Sequence, residues 1–265
     1  MLKRRVGAGA VLALVVAVLA AACSTTGGSG GSADLRVTAD FGSEVLARES
    51  IPAGPSVLAA LQRITDVDTA FGGGFVRGMY GRTSSGDPQA DWFYFVNGRL
   101  AETGARGRAV PAGGHIWWDH RGWDGANEVR AVIGSWPAPF AGPDRQVRAD
   151  PPLAAAAEAA GAVLTTAGTP WRILVGSDDD LRRRSDRWRE AGDDPAAAGV
   201  AAMMRGDGAQ ILDPRGRLVP VPDGHAVAVA VAGGLREEDG LSLVVAGADA
   251  ATAEAAAQRI AEDPG

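Results

Sequence analysis

Trp92-Phe93-Tyr94-Phe95-Val96-Asn97-Gly98 is the stretch on which the reading of this chain turns. An unbroken run of aromatic and β-branched residues predicts a strand. Asn97-Gly98 ends it with a pair that accepts positive φ in a two-residue hairpin. Side chains alternate along a strand, so Trp92, Tyr94 and Val96 share one face while Phe93 and Phe95 share the other. A second run, His115-Ile116-Trp117-Trp118-Asp119-His120, sorts His115, Trp117 and Asp119 from Ile116, Trp118 and His120 in the same way. Both strands carry large groups on both sides. One side must be core, and the other is expected to lie bare toward a flat ligand or a protein partner. The plainer alternative is that a second domain or the loops cover it. The candidate contact set is Tyr80, Trp92, Tyr94, Asn97, Trp117 and Trp118.

Outward from this pair, Leu35–Phe41 and Val45–Ile51 read as strands, separated from a helix by the turn cluster Pro52–Pro55. Ser56 is placed to cap that helix, whose apolar positions Val57, Leu58, Leu61 and Ile64 have helical spacing. Gly72-Gly73-Gly74 is followed by neither a lysine nor a helix, so it reads as a close backbone approach rather than a phosphate cradle. Val129–Ile133 is expected to be the strand that closes the unit. One main helix among short strands predicts an α+β domain over residues 35–136. The proline-rich residues 137–152 read as a linker.

Residues 153–265 alternate helices and strands and predict a second, small α/β domain. The expected helices are Leu153–Val163, Asp179–Glu190 and Ala250–Ile260. The expected strands are Trp171–Val175, Ala226–Val231 and Leu241–Val245, with a hairpin turning at Asp213–Gly216. Arg172–Asp178 echoes Leu243–Asp249, each a buried strand running into Gly-x-Asp, where the aspartate is expected to cap the next helix.

The order of motifs in the first domain carries a resemblance. Gly54 to Leu61 opens the helix, followed by Gly74-Phe75-Val76, by Trp92-x-Tyr94-x-Val96-Asn97-Gly98 with Gly104, and by Gly113 to Trp118. Over roughly residues 35–123 this resembles the transcobalamin C-terminal-like family, whose members include a domain of unknown function in bacteria. The resemblance implies the small domain that covers one face of a bound corrinoid. The large helical domain that grips the other face in such carriers has no counterpart here.

The chain begins with Lys3, Arg4 and Arg5, then an almost unbroken Ala/Val/Leu run to Ala22. A basic segment, an apolar segment and small residues form a secretory signal, residues 1–22. Leu19-Ala20-Ala21-Ala22-Cys23 looks like a bacterial lipobox, although its large aliphatic residue sits four rather than three positions before the cysteine. Cys23 is the lipidation candidate and opens a Gly/Ser tether, residues 23–34. The expected location is the outer face of the cytoplasmic membrane, held there by the lipid anchor.

Composition narrows the rest. Lys+Arg 26 against Asp+Glu 32 gives a net charge of -6, which argues against a nucleic-acid partner. The one cysteine excludes a disulfide framework and a Cys-rich metal site, and three histidines leave little material for a His-based catalytic centre. His115 and His120 would point to opposite faces, so no metal site is expected. No nucleophile elbow, triad or paired-carboxylate signature is legible, and no enzyme is expected. The reading is a lipid-anchored extracytoplasmic binding protein that captures a corrinoid or another flat small ligand for a membrane transporter. Its rival is a cell-envelope interaction module without a small-molecule ligand.

Overall fold

A computed structural model describes residues 31–86, 89–123, 129–141, 145–213, 217–234 and 236–262. Residues 1–22, expected to be a secretory signal, and Cys23 lie outside the described residues. The fold is mixed α+β.

The first half contains β1 (Ser32–Ala39), β2 (Glu44–Pro52), α1 (Val57–Leu61), β3 (Asp68–Ala70), β4 (Phe75–Met79), β5 (Arg82–Thr83), β6 (Ser85–Gly86), β7 (Gln89–Val96), β8 (Arg99–Leu100) and β9 (His115–Gly122). Its main sheet runs β2-β1-β9-β7-β6, with β8 on the end of β7. β9 pairs parallel with β1 and antiparallel with β7, which sets Trp118 opposite Tyr94 and Trp117 opposite Phe95. The hairpin forms as the sequence predicts, with φ of 48° at Asn97 and 75° at Gly98. Ser56 caps α1 by accepting from the Ala59 amide at 3.1 Å. β3-β4-β5 forms a small separate sheet. In the glycine run a Cβ on Gly104 would stand 2.6 Å from the Gly74 carbonyl oxygen, so two backbones meet there without side chains.

The second half contains β10 (Gln146–Ala149), α2 (Pro151–Ala159), β11 (Val163–Leu164), β12 (Arg172–Ser177), α3 (Asp178–Arg184), α4 (Asp186–Asp193), β13 (Ala202–Arg205), β14 (Gly208–Leu212), β15 (Leu218–Pro220), β16 (Ala226–Ala232), β17 (Leu241–Gly247) and α5 (Ala250–Glu262). Its main sheet runs β11-β10-β12-β17-β16. Only the edge strand β16 is antiparallel. Such a sheet needs cover on both faces, which explains the nearly unbroken apolar run of β17. Leu153 and Ala157 of α2 pack one face with Ala253 and Ala257 of α5. Leu181 of α3 and Trp188 of α4 pack the other.

Three expectations are corrected. Val129–Ile133 is not a closing strand: Ala131 makes an isolated bridge to Arg99, and a 3-10 turn follows at Ile133–Ser135. Residues 137–152 are not a free linker. Phe140 and Val147 are buried in the core beneath α2 and α5, and β10 is a strand of the parallel sheet. Prolines there mark a 3-10 turn and the start of α2 rather than slack chain. The helix expected over Asp179–Glu190 is broken at Ser185, whose hydroxyl caps α4 by accepting from the Trp188 amide.

The internal echo is real in space, because β12 and β17 lie side by side and each feeds a helix. The pairing is Ser177 with Gly247, one residue out of step with the sequence match. The capping differs between the two. Asp249 accepts from Thr252 as expected, whereas Ser177, not Asp178, caps α3. Asp178 turns inward and accepts from the Trp188 indole at 2.8 Å.

Candidate functional site

The aromatic rings are where alternation puts them, but they are not bare. Trp92, Tyr94 and Trp118 are 5%, 8% and 2% exposed and sit in the core formed by the main sheet with α1 and β4. Tyr94 and Trp118 stack with ring centres 4.7 Å apart, and the Tyr94 hydroxyl donates to the Thr103 carbonyl. The Trp92 indole donates to the Arg82 carbonyl at 3.3 Å. Burial raises the Tyr94 phenol above its ordinary value. These three residues have no surface left to offer a ligand.

Trp117 faces the opposite way and is 8% exposed. Its indole donates to Thr38 at 2.7 Å, and Val129 and Val132 pack against it and Phe95. A Cβ on Gly134 would fall 2.5 Å from the Trp117 ring, and one on Gly42 would fall 2.9 Å away. Two glycines therefore let backbone lie directly on the indole. The expected open face is closed, and residues 129–134 together with the second half close it. Covering a run of large rings removes a large apolar area from water, which favours closure over exposure.

The other candidates separate. Tyr80 is half-buried with a φ of 50°, packs on the edge of the core that holds Trp92, Tyr94 and Trp118, and lines an open groove with Asp66, Asp68 and Arg82. Asn97 is half-buried, and its Oδ1 accepts from the His115 amide at 2.8 Å. Asn97 alone among the six lines the arginine-walled cleft between the halves, and Trp117 lies elsewhere on the same seam.

That cleft holds about 390 Å³ and is walled by Asn97, Arg99 and Arg108 from the first half and by Arg145, Trp171 and Arg236 from the second. Arg99 crosses the seam, donating to the carbonyls of Gly240 at 2.7 Å and Gly234 at 3.2 Å. The Arg145 guanidinium lies 4.0 Å over the Trp171 ring. Glu102 and Glu238 are the carboxylates on the same wall, so guanidinium charge dominates in a chain whose net charge is -6. Convergent cations beside one another attract an anion. The arginines come from four separate segments, and no local motif joins them in the sequence.

Away from that cleft, the seam contains two buried charges. Asp119 is 3% exposed and Arg121 is 1% exposed, with Nε and Oδ2 3.9 Å apart. Burial raises the Asp119 carboxyl pKa against the opposing pull of Thr38 and Arg121. Burial also lowers the Arg121 guanidinium to about 10. Alternation extended past His120 places Arg121 on the same face as Trp117 and Asp119, so the strand's period alone carries that signal.

His115 and His120 do point to opposite faces, His120 against Trp92 and His115 toward Ser135. Ser135 Oγ and His115 Nδ1 are 2.8 Å apart, and burial lowers the His115 pKa. Ser135 is 2% exposed, so the contact satisfies a buried hydroxyl rather than presenting a nucleophile. Among the described residues no group of three His, Cys, Asp or Glu side chains could hold a metal ion. None of the described helices is long and apolar enough to cross a membrane.

Residues 54–121 match a domain of unknown function (DUF4430). The match runs from the turn before α1 to Arg121, within the span of the transcobalamin-like resemblance and consistent with it. A solved structure from Ruminococcus gnavus, described as a candidate metal-binding protein, is similar at 15% identity and a TM-score of 0.30. The similarity covers 35% of this chain and 97% of that one. No curated protein matches.

Proposed function

We propose that this is a lipid-anchored extracytoplasmic binding protein whose ligand enters the cleft between the halves, not the aromatic face of the first. Acylated Cys23 would hold it at the outer face of the cytoplasmic membrane, and the tether would let it pass ligand to a transporter. The observation that carries the reading is the convergence of Asn97, Arg99, Arg108, Arg145 and Arg236 on one volume of about 390 Å³. That lies within the range of about 300–1,000 Å³ typical of ligand pockets. The ligand class is a small molecule bearing a phosphate or carboxylate. A corrinoid, the ligand implied by the sequence resemblance, would place its phosphate-bearing edge rather than its ring in such a space.

The test is a thermal-shift titration of the full chain with inorganic phosphate and, separately, with cyanocobalamin, whose visible spectrum is read as well. Phosphate is expected to raise the melting temperature, and Arg108→Ala with Arg236→Ala to abolish the rise. No stabilisation by either probe at saturating concentration overturns the cleft. Stabilisation by phosphate with an unchanged corrinoid spectrum removes only the corrinoid.

One observation favours the interaction-module reading. Phe71 is 91% exposed, on a turn with a φ of 51° there and with Arg106 donating to the Gly72 carbonyl. A single presented ring suits a partner's pocket.

A further inference from the structure

The sheet face that carries Trp117 continues outward over β1 and β2. Strand pairing sets Arg36 between Trp117 of β9 and Arg48 of β2, and sets Asp34, two residues earlier on the same face, between His115 and Ser50. Arg36 and Arg48 are thus like charges directly opposite one another, which destabilises a sheet unless something neutralises them. Among the described residues neither guanidinium has a hydrogen-bond or ion-pair partner, and the Arg36 Nε is buried without an acceptor. The Arg36 guanidinium lies 5.2 Å over the Trp117 ring, a contact that leaves its in-plane N–H donors unused. Burial and the Arg48 charge lower the Arg36 pKa, against the pull of Asp119.

The nearby carboxylates do not answer these two cations. Asp119 is engaged by its own surroundings, accepting from the Thr38 hydroxyl at 2.6 Å and from the Phe41 and Gly42 amides at 3.2 Å each. Those bonds hold the turn at Asp40, Phe41 and Gly42 with φ of 51°, 59° and 83°, a strained conformation at an aromatic residue. Past Asp119 the face closes over a mainly apolar cavity of about 180 Å³ against Ala228 and Val229. Glu49 is the register partner of buried Leu35 and belongs to the opposite face, beside Tyr80. Asp34 is exposed, and its carboxylate has no partner among the described residues. Arg36, Arg48, Asp34 and His115 line a groove of about 360 Å³, separate from the arginine-walled cleft.

We infer that this groove binds a small free α-amino acid, its carboxylate between Arg36 and Arg48 and its ammonium on Asp34. The paired guanidiniums supply unused donors in the fork geometry that a carboxylate accepts. Two residues along a strand span about 6.7 Å, so Asp34 stands where a zwitterion held by Arg36 can reach it with a charge-assisted hydrogen bond of about 2.8 Å at each end. An anion without a positive end, phosphate included, would instead meet the Asp34 carboxylate, which separates this groove from the cleft.

The test is calorimetric titration with L-alanine of the full chain and of Arg108→Ala with Arg236→Ala, which disables the cleft. L-alanine is expected to bind both alike. In the cleft-disabled variant, propionate, which lacks the ammonium, and ethylamine, which lacks the carboxylate, should each bind at least about tenfold more weakly, the least that one lost charge-assisted hydrogen bond is worth. Arg48→Gln and Asp34→Asn, both at exposed positions, should each weaken L-alanine to the same degree. The inference is overturned if L-alanine fails to bind either protein, if propionate or ethylamine matches it in the cleft-disabled variant, or if Arg48→Gln or Asp34→Asn leaves its binding unchanged.

Discussion

The two faces of the first main sheet are built from the same two strands and end up as different materials. On one face, Trp92, Tyr94, Ile116 and Trp118 pack against α1 and β4; Trp92 and Tyr94 donate to backbone carbonyls, while the Trp118 ring stacks on Tyr94 and its Nε1 is buried without a hydrogen-bond partner. On the other, Phe93, Phe95, Trp117, Asp119 and Arg121 are roofed both by the nearby residues 129–134 and by residues of the second half such as Ala202 and Val229. The first face is a close-packed core. The second retains a buried ion pair, a strained turn and a cavity. A face covered from within its own half can be filled by side chains matched to it, whereas a seam between two layers keeps space and charge, and ligand sites commonly occur at such boundaries.

The sharpest contrast comes from truncating each face. Trp118→Ala should cost about 3–5 kcal/mol in urea unfolding, because a fully buried indole leaves a void its neighbours cannot fill. A cost below about 2 kcal/mol would mean that the packed face is looser than described. On the seam face, Asp119→Ala should cost about 3 kcal/mol, since it removes the buried Asp119–Arg121 ion pair and releases the Asp40–Gly42 turn. Asp119→Leu combined with Arg121→Met should recover most of that loss, because the charges, not the volume, carry the penalty. Strict additivity of the two single changes would contradict the pairing.

A smaller effect tests His115, on the seam side and next to Ser135. Burial lowers its pKa below the ordinary value of 6.5. As pH falls below about 6.5, the unfolded chain takes up the proton first, so stability should decline on acidification through the folded-state pKa. His115→Gln should flatten that decline between pH 5 and 7.5 in denaturant midpoints. An unchanged slope would place the pH dependence elsewhere. The smallest effect belongs to Phe71→Ser, expected within about 0.5 kcal/mol of the unaltered chain, because an exposed ring contributes to no core. A clear loss would show that Phe71 packs against something in solution.

Much of this contrast was legible in residue order. Period-two alternation placed every ring of β7 and β9 on its proper face, Asn97-Gly98 marked the hairpin, and Ser56 marked the start of α1. Alternation states which way a side chain points, however, and is silent on what meets it there. Gly134 lies only seventeen positions after Trp117, but its role as the lid on that indole follows from tertiary contact alone. The prolines near residue 140 suggested slack chain because local signals cannot register that Phe140 and Val147 enter a core completed by α2 and α5. Cleft residues such as Arg108 and Arg236 are brought together by the docking of two halves, which no local pattern encodes.

The claim beneath all of this is that the seam is a shared interior, and unfolding in urea followed by two probes tests it most directly. Far-UV circular dichroism at the helical band reports mainly α2 to α5 of the second half. Tryptophan fluorescence includes Trp92, Trp117, Trp118 and Trp123 of the first half. Coincident curves with one midpoint are predicted, because exposing Trp117 and Arg121 should unfold both layers together. Two separated midpoints would contradict the account: the halves would then stand alone, and a site between them would have no fixed walls.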